Sequence, residues 1–398
     1  MSKTIMHDPV VITCGKRSPL GSLQGSLSSL SAVDIGAQVV RGCLTHLPKE
    51  AVVDEVLMGC VLPAGLGQAP ARQVALGAGL PVSTFATTLN KICGSGLQAV
   101  IFACNAILAG SNKIVVAGGM ESMSNAPHLL LKSRTGYRFG HAELVDHTLM
   151  DGLEDPYHNR RLMGEFAEDV AQEYGFSRKA QDAYALQSFA RAQHAIESGA
   201  FFDEILPIKW EHKKKPISYV QDEIPYKSDL GRIPTLRPSF RPDGTITAAS
   251  ASAIADGAAA CVLMRESTAR ALGVKPLVRI AAHAGFAQEP RYFITAPIGA
   301  MRTVLKRAGW GVNDVDLFEL NEAFAVVVMA ATQDLNLDPE KININGGACA
   351  LGHPLGASGT RILVTLLHAL RQGKAKKGVA SLCVGGGEAV ALAVELCD

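Results

Sequence analysis

Two stretches of the chain repeat one pattern, and this repetition limits the folds that the chain can adopt. The motif C-G-S-G at 93–96 opens a helical apolar pattern, and the strand that follows ends in a pair of glycines. The motif G-A-S-G at 356–359 opens a second such pattern, again followed by a strand and glycines. Gly96 to Gly110 and Gly359 to Gly373 both span 14 positions. This self-similarity suggests duplicated halves related by a pseudo-two-fold axis, whose loops meet at one site, although two glycine-rich turns can also match by chance.

The rest of the chain alternates short apolar runs with segments of helical periodicity. This alternation favours an α/β layered architecture with buried, largely parallel strands. Ser31 with Asp34 forms a capping box for the first long helix. The predicted strands are 10–13, 56–60, 85–92, 114–117, 259–264, 277–284, 315–319, 341–345, 379–384 and 389–396. The predicted helices are 31–47, 71–80, 97–109, 162–174, 178–197, 298–309, 321–335 and 357–371.

Composition excludes several classes of function. Hydrophobic residues make up 48% of the 398 residues, charged residues 19%, and the net charge is +1, so nothing favours binding to nucleic acid or a membrane surface. The longest strictly apolar run, Ala323 to Ala331, is far shorter than the roughly 20 residues that span a bilayer. The amino terminus lacks the pattern of a signal or transit peptide, and the nine cysteines form neither a disulfide framework nor a zinc motif. We therefore expect a cytoplasmic protein without a metal site.

Cys93 lies where a predicted strand turns into the first turn of a helix. Free N–H groups and the positive end of the helix dipole favour a thiolate at such a position. Gly94 and Gly96 leave the backbone open, so that a bulky reactant could reach the sulfur. The alternative is an inert cysteine packed under a helix start.

Three further residues could meet Cys93 at one site. His353 lies on a glycine-rich turn before a helix, where an imidazole is the natural base for a thiol. Cys383 ends a strand just before V-G-G-G, and Asn321 opens N-E-A-F at another strand-to-helix junction. The glycine runs contain neither a G-x-x-x-x-G-K-[ST] nor a G-x-G-x-x-G motif, so a nucleotide-phosphate site is a weak interpretation.

Six blocks of sequence together resemble the thiolase family, which comprises acetyl-CoA acetyltransferases and 3-ketoacyl-CoA thiolases. The blocks are R-S-P-L-G (17–21), N-K-I-C-G-S-G (90–96), G-G-M-E-S-M-S (118–124), N-E-A-F-A (321–325), N-G-G-A-x-A-x-G-H-P-x-G-A-S-G (345–359) and C-x-G-G-G (383–387). The resemblance implies an α/β fold of two mixed five-stranded sheets in an α-β-α-β-α arrangement. It also implies coenzyme A thioesters as substrates, no other cofactor, and a homodimer or homotetramer.

The duplicated fold implies a division of the chain into three parts. The segment 121–244 is polar and punctuated by Pro and Gly, and we interpret it as a loop domain inserted over the active site. The predicted parts are 1–120 with 245–275 for the first half, 121–244 for the insertion, and 276–398 for the second half.

The resemblance also implies a role for each candidate catalytic residue. Cys93 would carry the acyl group as a thioester, and His353 would take its proton. Cys383 would remove a proton from the α-carbon of the second acetyl-CoA. Two oxyanion holes would be needed: one from His353 and a water held by Asn321, the other from the backbone N–H groups of Cys93 and Gly385.

Five residues are predicted to line the substrate channel. Ser252 matches the family's pantetheine-contacting serine, and Phe240 and Phe324 match aromatic positions of the channel, although either could equally be plain core. Leu162, before Met163, replaces a His that is often seen in short-chain biosynthetic members.

Other departures blur the substrate. Glu388 and Ala389 follow the C-V-G-G-G block, where the family usually has Gln or Met and then Gly, and Ser250 and Ala255 stand where Asn is common. The main interpretation is an acetyl-CoA C-acetyltransferase that reversibly condenses two acetyl-CoA to acetoacetyl-CoA and CoA. The alternatives are a 3-ketoacyl-CoA thiolase of broader chain length in fatty-acid β-oxidation and a non-catalytic acyl-CoA-binding protein. A decarboxylating ketoacyl synthase is disfavoured, because that chemistry is associated with a His at the place of Cys383.

Overall fold

The computed structural model describes residues 8–397. The strands are Val10–Arg17 (β1), Gly21–Ser22 (β2), Glu55–Gly59 (β3), Phe85–Leu89 (β4), Ile114–Ser122 (β5), His128–Leu130 (β6), Leu144–Asp146 (β7), Ile208–His212 (β8), Lys215–Tyr219 (β9), Ala255–Arg265 (β10), Val278–Ala287 (β11), Leu317–Leu320 (β12), Lys377–Val384 (β13) and Glu388–Leu396 (β14). The helices are Ala32–Leu44 (α1), Pro70–Gly77 (α2), Ser95–Ala109 (α3), Met163–Glu173 (α4), Arg178–Glu197 (α5), Ile224–Lys227 (α6), Glu266–Ala271 (α7), Ala296–Ala308 (α8), Ala325–Leu335 (α9), Ala348–Leu351 (α10) and Leu355–Gly373 (α11).

Most strands join in one mixed sheet with the order β12-β13-β14-β11-β1-β10-β5-β3-β4, and β2 pairs with β10. The two halves meet between β1 and β11, where only Val11 pairs with Arg279 and Ile12 with Val278. Parallel pairs occur in β4-β3-β5 and β12-β13, whereas the pairs among β1, β5, β10, β11, β13 and β14 are antiparallel. The predicted mixed α/β fold is confirmed, but the prediction of largely parallel strands is wrong, since β13 returns through a tight turn to β14 without a crossover helix.

Helices α3 and α11 form the central layer. They pack together between the two halves of the sheet, in a cluster that includes Leu97, Val100, Ile362 and Leu366. Helices α1 and α2 cover the outer face of the first half, and α8 covers that of the second. A Cβ on Gly359 would lie 2.5 Å from the Leu97 nitrogen, and one on Gly96 would lie 2.9 Å from the Gly356 oxygen. The repeated glycines are therefore required for the close crossing of the two central helices.

Several element boundaries agree closely with the sequence pattern. The Ser31–Asp34 capping box is present at α1, and α5 has the predicted bounds 178–197. β4 was expected to be buried and to extend to residue 92, but it ends at Leu89 on the edge of the sheet, where Phe85 is 73% exposed. The predicted strand 341–345 is wrong, because only Ile342 forms a bridge before Asn343 turns the chain at φ 47°.

Residues 121–244 contain helices α4 to α6 and two hairpins, β6-β7 and β8-β9. The sequence of this segment has little alternation of apolar and polar residues and predicts few strands. The four strands that it contains form two short hairpins, which lie outside the main sheet. The boundaries of the three predicted parts stay a prediction. By length and composition alone, one described segment, Ile92–Ala109, could cross a membrane, but more than half of it is buried, as in a core helix of a folded protein.

Candidate active site

Cys93 lies in a strained turn between β4 and α3. Ile92 has φ 45°, a left-handed conformation that a β-branched residue rarely adopts. Its N–H donates to the Asn90 side-chain oxygen at 2.8 Å, and its carbonyl accepts from the Ser95 hydroxyl at 2.7 Å. The same Ser95 oxygen accepts the Lys91 N–H at 2.8 Å. Side-chain hydrogen bonds therefore hold the turn that presents Cys93, two residues before the helix begins.

Cys93 is a partly exposed residue, and its sulfur faces two backbone N–H groups, those of Gly385 and of Cys93 itself. Burial raises the pKa of this thiol to about 12, and the carboxylate of Glu121 acts in the same direction, while the two N–H groups lower it. The resting group is thus a thiol that needs a base. The same two N–H groups were predicted to form an oxyanion hole, and the structure brings them together at the sulfur.

His353 is held as a neutral base. It is 5% exposed, in the loop between α10 and α11. Its Nδ1 lies 2.5 Å from the Ser358 hydroxyl oxygen, and that hydroxyl donates to the Pro354 carbonyl at 2.9 Å. Since the hydroxyl hydrogen is used in this way, Nδ1 must carry the imidazole proton and Nε2 the lone pair. Burial, with the nearby Arg361 charge, lowers the pKa of His353 to about 3.

Asn321 follows β12, and its side-chain nitrogen lies 3.4 Å from His353 Nε2. Helix α9 begins only at Ala325, so the predicted helix start at 321 is wrong and Asn321 lies in a loop. The next residue, Glu322, is fully buried and anchors this loop. Its carboxylate accepts from the Tyr184 hydroxyl at 2.9 Å, the Ser188 hydroxyl at 2.7 Å, Asn343 Nδ2 at 3.0 Å and the Cys349 N–H at 3.0 Å.

Cys383 lies at the end of β13 and is fully buried. Burial raises the pKa of its thiol well above the usual value, and the neighbouring Cys93 raises it further. It packs in one cluster with Met163, Phe240 and Phe324. The two cysteines therefore share a site, one partly open and one enclosed.

Glu388, the rival base near Cys383, forms an ion pair with Lys91 across the turn. Its side chain is 42% exposed, and its strand partner is Val384. The carboxylate is thus already engaged by a lysine and open to water, whereas Cys383 is enclosed beside Cys93. The geometry thus favours Cys383 over Glu388 for proton removal.

A cavity of about 610 Å³ opens beside His353. Its walls include all five residues predicted for the substrate channel: Leu162, Met163, Phe240, Ser252 and Phe324. The Phe240 and Phe324 rings meet edge to face, with centroids 5.8 Å apart. Met123 and Leu355 also line the cavity and belong to the apolar cluster against which Cys93 packs. Apolar walls with a few polar groups are typical of a site for a small organic ligand.

The site combines a cysteine held in a strained turn, a neutral imidazole base, a second buried thiol and converging N–H donors. Within residues 8–397, no three His, Cys, Asp or Glu side chains are grouped to hold a metal ion. These groups can transfer an acyl group through a cysteine thioester and abstract a proton from a carbon acid. Sequence reasoning assigned no role to Glu121, Glu322 or Ser358. An acidic residue inside a glycine-rich or apolar motif is the signal that could have found the first two.

Known proteins match the chain along almost its whole length. The family model described as "Thiolase, N-terminal domain" matches residues 10–267, and the one described as "Thiolase, C-terminal domain" matches residues 274–396. The acetyl-CoA acetyltransferase of Allochromatium vinosum is 49% identical over 98% of this chain and 100% of its own length. The mitochondrial acetyl-CoA acetyltransferase of Bos taurus is 47% identical over 99% and 93%. The crystal structure of the Bacillus anthracis acetyl-CoA acetyltransferase has a TM-score of 0.95 at 39% identity and covers 98% of this chain and 99% of that one.

Proposed function

Because this chain belongs to the thiolase family, we propose that it is an acetyl-CoA C-acetyltransferase, which reversibly condenses two acetyl-CoA to acetoacetyl-CoA and CoA. The observation that carries the proposal is a pair of cysteines beside an apolar cavity that His353 lines: Cys93 is close enough to Cys383 to raise the pKa of its thiol. Relatives that carry the name acetyl-CoA acetyltransferase align with it over nearly the full chain. A non-catalytic acyl-CoA-binding protein would have no need of a cysteine held in a strained turn.

In the first half-reaction, the Cys93 sulfur attacks the thioester carbonyl of acetyl-CoA. The Cys93 proton passes to His353 Nε2, whose lone pair is fixed by the Ser358 hydrogen bond, and then to the departing CoA sulfur. The new bond joins the acetyl carbon to Cys93, and the bond that breaks joins it to CoA. The backbone N–H groups of Cys93 and Gly385 would donate hydrogen bonds to the carbonyl oxygen and so stabilise the negative charge that develops on it.

In the second half-reaction, Cys383 reacts as its thiolate, after loss of its own proton to water, and takes a proton from the α-carbon of another acetyl-CoA. The carbanion attacks the acetyl group on Cys93, forms the new carbon–carbon bond and releases the Cys93 sulfur. Cys383 then passes the α-proton to that sulfur and is again a thiolate. His353 and a water held by Asn321 would form the oxyanion hole for the enolate oxygen, and the contact between Asn321 and His353 supports this role. Burial of Cys383 serves this step, because it makes the thiolate a stronger base.

Ser252, Phe240 and Phe324 are proposed to contact the pantetheine arm of CoA as it enters the cavity. No cofactor other than the CoA thioesters is proposed. Leu162 and Met163 favour a second candidate function, a 3-ketoacyl-CoA thiolase of broader chain length, because they give the cavity an apolar wall. A methylene in such a cavity changes the transition-state energy by about 1–3 kcal/mol, so activity should change gradually with chain length.

We further propose a cytoplasmic enzyme of lipid metabolism that acts as a homodimer or homotetramer. β4 is an edge strand whose surroundings expose Val82 and Phe85, at 80% and 73%. An exposed apolar edge is a template for pairing with another chain, and a second copy of this chain would cover it. Light scattering of the purified protein tests this, since a monomer at micromolar concentration contradicts it.

The test of function uses acetyl-CoA alone and then a substrate series. Incubation with acetyl-CoA should add one acetyl group at Cys93, detected by peptide mass spectrometry, and should produce acetoacetyl-CoA. An adduct on another cysteine, or none, contradicts the proposal. Thiolysis of acetoacetyl-CoA beside 3-ketohexanoyl-CoA then separates the two candidates: rapid turnover of the first with none of the second excludes the broader enzyme.

A further inference from the structure

Glu121, near the end of β5, has a fully buried carboxylate that binds two separate segments of the chain. One oxygen accepts the Val61 N–H at 3.0 Å and the Gly356 N–H at 2.8 Å. The other accepts the Leu62 N–H at 3.1 Å and lies 3.6 Å from the Cys60 sulfur. A carboxylate buried with three backbone donors is a strong tether, because removing it would leave those N–H groups without partners.

The two tethered segments lie on either side of the reacting groups. Val61 and Leu62 follow β3 and belong to the apolar cluster that contacts Cys93. Gly356 lies in the first turn of α11, three residues after His353. A Cβ on Gly356 would lie 2.6 Å from the Met120 oxygen and 2.9 Å from the Glu121 carboxylate. The start of α11 therefore packs directly against the end of β5. Glu121 therefore fixes the start of the helix next to His353 against the wall next to Cys93.

The charge of Glu121 also acts on the site. A carboxylate at the first turn of α11 is stabilised by the helix dipole, but burial raises the pKa of Glu121 to about 7 despite its three N–H donors. Two titratable groups interact with Glu121: Cys60, which donates to it, and Cys93, on which its charge acts. Above pH 7 the carboxylate is charged, and it then opposes formation of a thiolate at Cys93.

We propose that Glu121 is a positioning residue for acyl transfer: it holds the segment that carries His353 against the segment that lines Cys93. This inference rests on the proposed role of Cys93 as the nucleophile. The negative charge acts in the same direction as burial, against a thiolate at Cys93, and is the smaller of the two effects.

Two substitutions separate the tether from the charge. Glu121→Gln removes the charge and retains one amide oxygen, so the pH midpoint of Cys93 alkylation by iodoacetamide should fall by roughly half a unit or more. Glu121→Asp keeps the charge but shortens the reach, so kcat should fall by roughly tenfold with KM little changed, while the alkylation midpoint stays near the wild-type value. Alkylation at Cys93 is followed by peptide mass spectrometry, and kcat by acetoacetyl-CoA thiolysis.

Glu168→Gln is the matched control. Glu168 is also a buried carboxylate, and it accepts the N–H groups of Thr245 and Ile246, which belong to neither tethered segment. This control should leave the alkylation midpoint unchanged. An unchanged midpoint in Glu121→Gln, or an equal shift in Glu168→Gln, overturns the charge effect, and wild-type kcat in Glu121→Asp overturns the tether.

If Glu121→Gln does not fold, as judged by circular dichroism, the aspartate variant decides alone through its kcat. Failure of this inference is distinct from failure of the proposed function. If acetyl-CoA leaves Cys93 of the wild-type protein unmodified, the proposed function fails, and the alkylation experiment still reads the effect of Glu121. If Cys93 is acetylated but neither variant differs from wild type, only the role of Glu121 is wrong.

Discussion

Each half of the protein contributes the start of a central helix and the end of the strand that follows it. In the first half these positions carry Cys93, just before α3, and Glu121, near the end of β5. In the second half they carry His353, just before α11, and Cys383, near the end of β13. The glycines of the helix crossing occur in both halves, because backbone contact requires them, whereas the side chains that face the site differ completely.

This difference shows how a duplicated scaffold can support an asymmetric reaction. In the proposed mechanism, one helix start would supply the nucleophile and the other the base for it. One strand end would supply a tether, and the other a second thiol for proton removal from carbon. Burial raises the pKa of both cysteines, to about 12 at Cys93, where two backbone N–H groups act against it, and well above the usual value at the enclosed Cys383. The comparison can be tested by removing the distinct group of each half in turn.

Cys93→Ser should have the largest effect. The fold should persist, because the hydroxyl is smaller than the thiol and equally able to face the N–H groups. Acyl transfer should fall by at least about 10³-fold, since an alkoxide is much harder to form than a thiolate. Circular dichroism and acetoacetyl-CoA thiolysis measure the two properties. Retention of more than a tenth of the activity would show that the first half does not supply the nucleophile.

Cys383→Ala should separate the two halves by reaction step. Acetyl-CoA should still acetylate Cys93, because that step takes no proton from carbon. Condensation should fall by roughly 10²–10⁴, and exchange of acetyl α-protons with deuterated water should stop. Glu388→Gln is the control and should retain exchange, since Glu388 pairs with Lys91. Loss of exchange in the control with near-normal exchange in Cys383→Ala would assign the base to Glu388.

Ser358→Ala tests the base of the second half. Without the hydroxyl, Nδ1 of His353 loses its partner, and the tautomer with the lone pair on Nε2 is no longer fixed. We expect kcat to fall by about 10–100-fold with a smaller change in KM. The pKa of His353 is lowered to about 3, so its imidazole should be neutral at pH 5 and the wild-type enzyme should remain active there. The Ser358→Ala variant should show the same tolerance of acid. A variant with wild-type kcat would show that the tautomer is fixed by another contact.

The sequence predicted the family, the layered α/β fold and the acyltransferase class, and these predictions are confirmed. Local patterns succeeded where a local cause decides the structure, as at the Ser31 capping box and in α5. They failed where the position in the sheet decides: strand β4 is rich in Thr and Phe, as a buried strand would be, but it lies at an exposed edge.

The site was predictable only in part. The structure brings Cys93, His353, Asn321, Cys383 and Gly385 to one region, but their catalytic roles stay predictions. Ser358 was missed although its partner His353 is only five positions away. Glu121 and Glu322 were missed because their partners are distant in the sequence: Glu121 binds Gly356, which is 235 positions away, and Glu322 binds Ser188, 134 positions away. No periodicity or propensity records such a pairing.

The smallest expected effect comes from the glycines that end the two central helices, which look equivalent in the sequence. In the structure Gly110 is a left-handed cap at φ 79°, whereas Gly373 is the last helical residue and Lys374 takes the left-handed position at φ 53°. A Cβ would meet nothing within 4 Å at either glycine, so only backbone conformation distinguishes them. Gly110→Ala should therefore lower the free energy of unfolding by about 1 kcal/mol. Gly373→Ala should leave it unchanged or raise it by a few tenths of a kcal/mol, because alanine favours a helical backbone. Denaturant unfolding of both variants measures the difference, provided that the unfolding free energy depends on denaturant concentration with the same slope in both. An equal loss of unfolding free energy in both variants would show that the two helix ends are alike.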